Sequence, residues 1–261
     1  MKLTDANYFS AEADKEFMSV SQFKRWQECP AAAKAQYVDG TYKPETSDAM
    51  LLGSYFHGLF DGTAESFLVQ TPELMTAKCQ KIAAVKQLDE IFERVSRDEF
   101  FMNACTGQHE EIYTAELFGT IWKCKVDVVD FDKGFFTDIK TVKDFSLVWD
   151  NEKRAKLEFY QASKYDLQLA VYQAIIKAAA GYELEPFIAA ITKEKVPDYA
   201  VFEFTSFEMK EHFESLLNNV GRRCSEIKDM KQGASPTWSC GVCEYCKKTK
   251  KLTKTIEARI V

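Results

Sequence analysis

Residues 125–141 read Lys125-Val126-Asp127-Val128-Val129-Asp130-Phe131-Asp132-Lys133-Gly134-Phe135-Phe136-Thr137-Asp138-Ile139-Lys140-Thr141. Two short apolar runs lie on either side of Asp132-Lys133-Gly134, a turn signal that predicts two antiparallel strands. Each run carries an acid, Asp127 in the first and Asp138 in the second, and the hairpin brings the two side by side. Two carboxylates so placed repel unless a cation sits between them. A hard divalent cation such as Mg²⁺ takes oxygen ligands and keeps several waters. Such an ion activates water and stabilises charge developing on a phosphate. Lys140 is two residues beyond Asp138 and shares its face of the strand. There it can orient a water or neutralise a phosphate. Spacing alone leaves a plain cross-strand ion pair equally open. The acid-x-Lys pattern also starts at Glu208, Glu226 and Asp229, where it reads as charge on a surface helix.

Outward from this hairpin the chain reads as mixed α/β. Upstream, Glu111–Phe118 is a third strand of the meander, set off by Gly119. Helices are expected from Ser19 or Ser21 past Trp26, from Pro30 to Gly40, from Met50 to Leu68, and from Pro72 to about Ala104. Downstream, a helix over Leu157–Ala180 ends at Gly181. Two strands, Phe187–Thr192 and Tyr199–Thr205, precede an amphipathic helix over Glu208–Met230. The boundaries drawn are a domain over 1–235, with N-terminal helices 18–104 and a catalytic core 105–235, and a cysteine-rich segment over 236–261.

The composition excludes several classes. With 46% hydrophobic residues the chain is expected to form a core and not to be disordered. No apolar run reaches the roughly 20 residues of a membrane helix, and the polar, acidic start does not resemble a signal peptide. A cytoplasmic location is therefore expected. The net charge of −6 argues against coating nucleic acid by bulk positive charge. Any DNA contact must come from locally sorted bases: Lys24, Arg25, Lys140, Lys143, Lys153, Arg154, Lys156 and Lys164 near the expected site, and the run Lys247, Lys248, Lys250, Lys251 and Lys254. Of the eight cysteines, Cys79, Cys105, Cys124 and Cys224 lie among apolar neighbours and read as buried thiols. Cys240-x-x-Cys243-x-x-Cys246 is a metal-ligand signal, and Cys29 is its natural fourth member.

Asp127 with Asp138-Ile139-Lys140 resembles the motif of the PD-(D/E)xK nuclease superfamily, with Val126 in place of the motif's proline. Leu52-Gly53-Ser54-Tyr55-Phe56-His57 and Tyr165-Asp166-Leu167-Gln168-Leu169-Ala170-Val171-Tyr172 resemble two further motifs of its RecB-like branch. The likeness covers roughly residues 18–250 and is strongest to phage-type, RecE-like recombination exonucleases. The resemblance implies a restriction-endonuclease-like core: a mixed sheet flanked by helices, with N-terminal helices and a C-terminal cysteine knuckle. It implies Mg²⁺ (or Mn²⁺) at Asp127, Asp138 and His57, with the Ile139 carbonyl nearby and Lys140 assisting the water. Gln168 and Tyr172 are implied as DNA-positioning or site-supporting residues. Glu110 and Glu111 compete for the place of a supporting acid, and both stay outside the catalytic set.

The activity implied is exonucleolytic hydrolysis of double-stranded DNA ends. Its implied partners are DNA and a single-strand annealing protein, and the enzyme is often a homo-oligomer. One distant cysteine with three near the C-terminus resembles the iron–sulfur arrangement of AddB-type and CRISPR-associated relatives. The gap before the last cysteine is shorter here, which keeps zinc, or a metal-free knuckle, open. Two rival functions remain: a single-strand-specific CRISPR-adaptation-like or helicase-associated nuclease, and a non-catalytic protein that binds DNA ends.

Overall fold

The computed structural model describes residues 1–252 and 255; Lys254, the last of the basic run, lies outside the described residues. In chain order the elements are α1 (Ala11–Glu16), α2 (Val20–Glu28), α3 (Pro30–Tyr37), α4 (Asp48–Asp61), α5 (Ala64–Gln70), α6 (Ala83–Val95) and α7 (Glu99–Ala104). These are followed by β1 (Gln108–Leu117), β2 (Thr120–Asp130), β3 (Phe135–Val142), β4 (Val148–Asp150), β5 (Ala155–Leu157), α8 (Phe159–Ala162) and α9 (Tyr165–Ala180). The chain closes with β6 (Glu185–Thr192), β7 (Tyr199–Glu203), α10 (Phe207–Gln232) and α11 (Glu244–Lys248). Two compact units emerge, a central one over 45–222 and a terminal one formed by 1–44 with the described residues from 223 onward. The division falls within α10.

The central unit is built on a five-stranded mixed sheet in the order β1-β2-β3-β6-β7. The first three strands form the expected antiparallel meander, β6 joins β3 in parallel, and β7 returns antiparallel to β6. Alternation along the strands sorts side chains to two faces. Val128, Ile139, Ala189 and Ile191 point into one apolar cluster with Tyr55 and Phe56 of α4, Leu88 and Ile91 of α6, and Phe101 of α7. Helix α9 packs against β1, β2 and β6. Full burial of Phe56 alone contributes about 1.5–3 kcal/mol.

Local chemistry explains where helices start and stop. Ser47 accepts the Met50 N–H and starts α4, and Gly62, at φ +80°, ends it. The single helix expected over Met50–Leu68 is therefore two, and Met50 is exposed. The long helix expected from Pro72 to Ala104 is also broken. Pro72–Leu74 is a 3₁₀ turn, Met75 bridges Lys81, and Cys79 sits in the turn between them at φ +54°. Asp98 then caps α7 by accepting the Phe101 N–H. The cap-forming side chains of this stretch compete with a continuous helix. Cys79 is exposed on its turn, contrary to the expected burial; Cys105, Cys124 and Cys224 are buried as expected. The helix expected over Leu157–Ala180 is interrupted at Lys164, at φ +55°, and its first residue belongs to the β4–β5 hairpin.

In the terminal unit, Ser10 and Ser19 cap α1 and α2. Cys29 both ends α2 and precedes Pro30, the first residue of α3. The Lys231 ammonium donates to the Asp14 carbonyl at 2.7 Å and to the Phe17 carbonyl at 3.2 Å. That places a cation at the C-terminal end of α1. No described helix is long and apolar enough to cross a membrane.

Candidate active site

The registers of two hairpins assemble the site. Across β1 and β2, His109 pairs with Val128 and Glu111 with Val126, so Glu110 stands opposite Asp127. Across β2 and β3 the regular pairing ends at Val128 and Thr137, which leaves Asp127 opposite Asp138. The next bond comes from a side chain: the Ile139 N–H donates to Asp127 Oδ2 at 2.7 Å. Three acids, Glu110, Asp127 and Asp138, thus form a row across three strands. Glu110 is at φ +58°, a conformation that costs a non-glycine residue of order 1 kcal/mol.

Helices on both faces of the sheet reach this row. From α4, His57 Nδ1 approaches Asp127 Oδ1 at 3.3 Å. One residue on, Gly58 lets the helix lie against the start of α5; a Cβ there would come within 2.8 Å of the Ala64 nitrogen. From α9, Gln168 Nε2 donates to Asp138 Oδ1 at 2.7 Å. Lys140 Nζ contacts Asp138 Oδ2 at 2.7 Å and lies 5.3 Å from the centre of the Tyr165 ring. Tyr172 is half-buried on α9, one turn beyond Gln168.

The donor atoms of His57, Glu110 and Asp127 lie within 4.8 Å of one another, so they can share one ion. Glu110 also pairs with Lys125. The set expected from sequence was Asp127, Asp138 and His57. The structure brings His57 and Asp127 together with Glu110, while Asp138 is turned to Lys140 and Gln168. Asp138 Oδ2 is nonetheless buried, and the Lys140 ammonium is the group that meets it. Two carboxylates and one imidazole within reach of a single ion suit a divalent cation of the Mg²⁺ or Mn²⁺ type. Reflecting Asp127 across the Gly119 turn would have selected Glu110 over Glu111.

Without an ion, the protein supplies its own cations. Burial would push the His57 imidazole down, but the adjacent Asp127 carboxylate outweighs it and raises it above the ordinary value. Burial would likewise raise Asp127, but His57, Lys140 and the Ile139 N–H hold it at about 2. Asp138 is raised, chiefly by burial and by Asp127 against the pull of Lys140. Burial works against the Lys140 ammonium, yet the two carboxylates raise it to about 12. Because the folded value of His57 is raised, its stabilisation is complete below the ordinary imidazole range and fades as pH rises through that folded value. The metal-free protein should therefore melt higher near pH 5.5 than near pH 8.5. In His57→Ala that difference should shrink, as read by calorimetry in chelator. An unchanged pH profile in the variant would remove the His57–Asp127 pair as its cause.

No curated protein matches the chain. A family model described as "PDDEXK-like domain of unknown function (DUF3799)" matches residues 19–249. Among solved structures, one from Eubacterium rectale described as "Putative exonuclease" is 34% identical in sequence. It superposes with a TM-score of 0.90 over 98% of this chain and 97% of its own. The five-stranded mixed sheet flanked by helices is that of a PDDEXK-like fold, and the chain belongs to this PDDEXK-like family.

Proposed function

We propose that the chain is a divalent-metal-dependent deoxyribonuclease that hydrolyses phosphodiester bonds at the ends of double-stranded DNA. The observation that carries this reading is the convergence of His57, Glu110 and Asp127 within 4.8 Å beside the Asp138–Lys140 pair. An ion held there would act as a Lewis acid toward the phosphate and lower the pKa of a water. The protein's own groups do the rest. Gln168 fixes one oxygen of Asp138, and the Ile139 N–H fixes one of Asp127. These are outer contacts whose loss typically costs 10–100-fold in activity or metal affinity, by order of magnitude. Lys140, raised to about 12, stays protonated at neutral pH. It is a donor to phosphate oxygens and not a general base.

Preference for ends rests on the likeness to the exonuclease neighbour. So does a place in phage-type recombination beside an annealing protein, which the RecE-like resemblance implies. Contacts to DNA fall to bases on the segment joining β3 to α9: Lys143, Lys153, Arg154, Lys156 and Lys164. Tyr172 joins them as a positioning residue. Phosphate contacts of this kind carry no sequence information and weaken steeply with salt.

The test is incubation of the purified chain with labelled linear duplex, circular duplex and single-stranded DNA, in Mg²⁺, Mn²⁺ or chelator. Cleavage that needs both an ion and a duplex end is expected. Nicking of circles would make the enzyme an endonuclease. Preference for single strands would favour the CRISPR- or helicase-associated reading. Salt-sensitive binding without cleavage in any ion would leave a DNA-end-binding protein.

A further inference from the structure

The terminal unit holds a second cluster of ligand atoms. Cys29 stands at the corner between α2 and α3, Cys240 lies on the turn before α11, Cys243 caps that helix and Cys246 lies within it. Ala31 donates its N–H to the Trp238 carbonyl at 3.1 Å and brings the C-terminal segment onto that corner. The knuckle is tight: Gly241 takes φ +76°, the Cys243 N–H donates to Cys240 Sγ at 3.3 Å, and the Cys240 N–H donates to Cys29 Sγ at 3.5 Å. Cys29 and Cys246 are buried together with Ala32.

The distances discriminate among the fillings that sequence left open. Cys29 Sγ is 3.5 Å from Cys246 Sγ, Cys240 Sγ is 3.9 Å from Cys246 Sγ, and all four sulfurs lie within 4.8 Å of one another. These separations far exceed a disulfide bond of about 2 Å. A single tetrahedral ion with metal–sulfur bonds of about 2.3 Å sets its sulfurs about 3.8 Å apart. An iron–sulfur cluster does not fit. In a [4Fe–4S] cluster each thiolate binds its own iron, and the body of the cluster spreads the four sulfurs beyond 4.8 Å. A [2Fe–2S] cluster separates its two thiolate pairs in the same way.

We propose that Cys29, Cys240, Cys243 and Cys246 hold one tetrahedral zinc ion, and not the iron–sulfur cluster that their order in the sequence suggests. Four thiolates close the coordination sphere and leave no open position, so the site is structural. Its effect is to tie Cys29 to a segment more than 200 residues away. The zinc carries no redox chemistry, so the fold of this unit should be indifferent to air and to mild reductant. The proposal is independent of the nuclease reading, because it concerns other residues and is read by spectroscopy and not by cleavage.

The test is metal analysis of the full chain, purified once in air and once anaerobically, with X-ray absorption at the metal edge. The expected result in both preparations is one zinc per chain, no acid-labile sulfide, and a shell of four sulfurs at about 2.3 Å with no second metal. The sulfur shell separates this ion from any held by His57, Glu110 and Asp127, which offer none. Cys246→Ser should lose the ion and Cys79→Ser, on its exposed turn, should keep it; if Cys246→Ser does not fold, the wild-type spectrum decides. Iron with sulfide in the anaerobic sample, a lone iron in the sulfur shell, or zinc bound only by nitrogen and oxygen would overturn the proposal. So would a metal-free chain that takes up no zinc on titration.

Discussion

Asp138→Asn is expected to lower the rate of DNA cleavage at least about 1,000-fold, equivalent to about 4 kcal/mol of transition-state stabilisation. The carboxylate is buried, with 2% exposure, and its two oxygens have different duties. Oδ1 accepts from Gln168 and Oδ2 faces the Lys140 ammonium. Asparagine keeps the shape but offers one acceptor to two donors, and its amide group must face either Gln168 or Lys140. The negative charge that offsets Lys140 and draws a cation is gone. Relief of repulsion between Asp127 and Asp138 would by itself stabilise the metal-free variant. The structure argues for the opposite sign, because each carboxylate already has a cation, His57 for Asp127 and Lys140 for Asp138. A loss of about 1–3 kcal/mol is expected from the unmatched donor. Single-turnover cleavage and urea unfolding of the same preparation check both parts. Cleavage within tenfold of wild type would remove Asp138 from the mechanism, and a stabilised variant would show that repulsion wins.

The parts of this site that sequence made legible are those set by short-range geometry. Gly119 and Asp132-Lys133-Gly134 mark two turns, and a turn fixes the register of the strands it joins. The juxtaposition of Asp127 and Asp138, with Lys140 on the same face, follows from that register, while its reading as a catalytic set rests on the resemblance to the PD-(D/E)xK motif. Gln168 is marked by the resemblance, and helical spacing puts it on one face with Tyr165; the structure turns both toward Asp138 and Lys140. What sequence missed depended on one-residue choices or on backbone conformations outside the ordinary regions. Glu110 and Glu111 differ by one position on a strand, and therefore by face. The left-handed residues Cys79 and Lys164 break stretches whose apolar spacing otherwise suits long helices. The β4–β5 hairpin has strands of three residues, too short to show a period. The cysteines show a different limit. Their order along the chain resembles an iron–sulfur protein, but the separation of their sulfurs is a property of the fold.

Lys140→Met is expected to lower the turnover number about 100- to 1,000-fold while changing KM little, since the ammonium meets charge that develops in the transition state. Methionine replaces the apolar stem of the lysine, lacking only the ammonium end, and can pack against Tyr165, so the change is chiefly one of charge. Its effect on stability depends on pH. Burial and Asp127 both push the Asp138 carboxyl up, and Lys140 is the largest force opposing them. Without Lys140 the folded value of Asp138 rises further above its unfolded value. A group raised in this way contributes its stability below the unfolded value, near 4, and loses it as pH climbs through the folded one. The variant should therefore be less stable than wild type at pH 7.5, by at most about 3–5 kcal/mol, the cost of breaking a buried ion pair. The deficit should narrow on acidification toward pH 5. A divalent cation should narrow it at neutral pH as well, because an ion near Asp127 and Asp138 replaces the missing positive charge. Thermal unfolding at several pH values, with and without Mn²⁺, checks this. A deficit independent of both pH and metal would mean that Lys140 matters only as packing against Tyr165, and the charge argument for the site would fail.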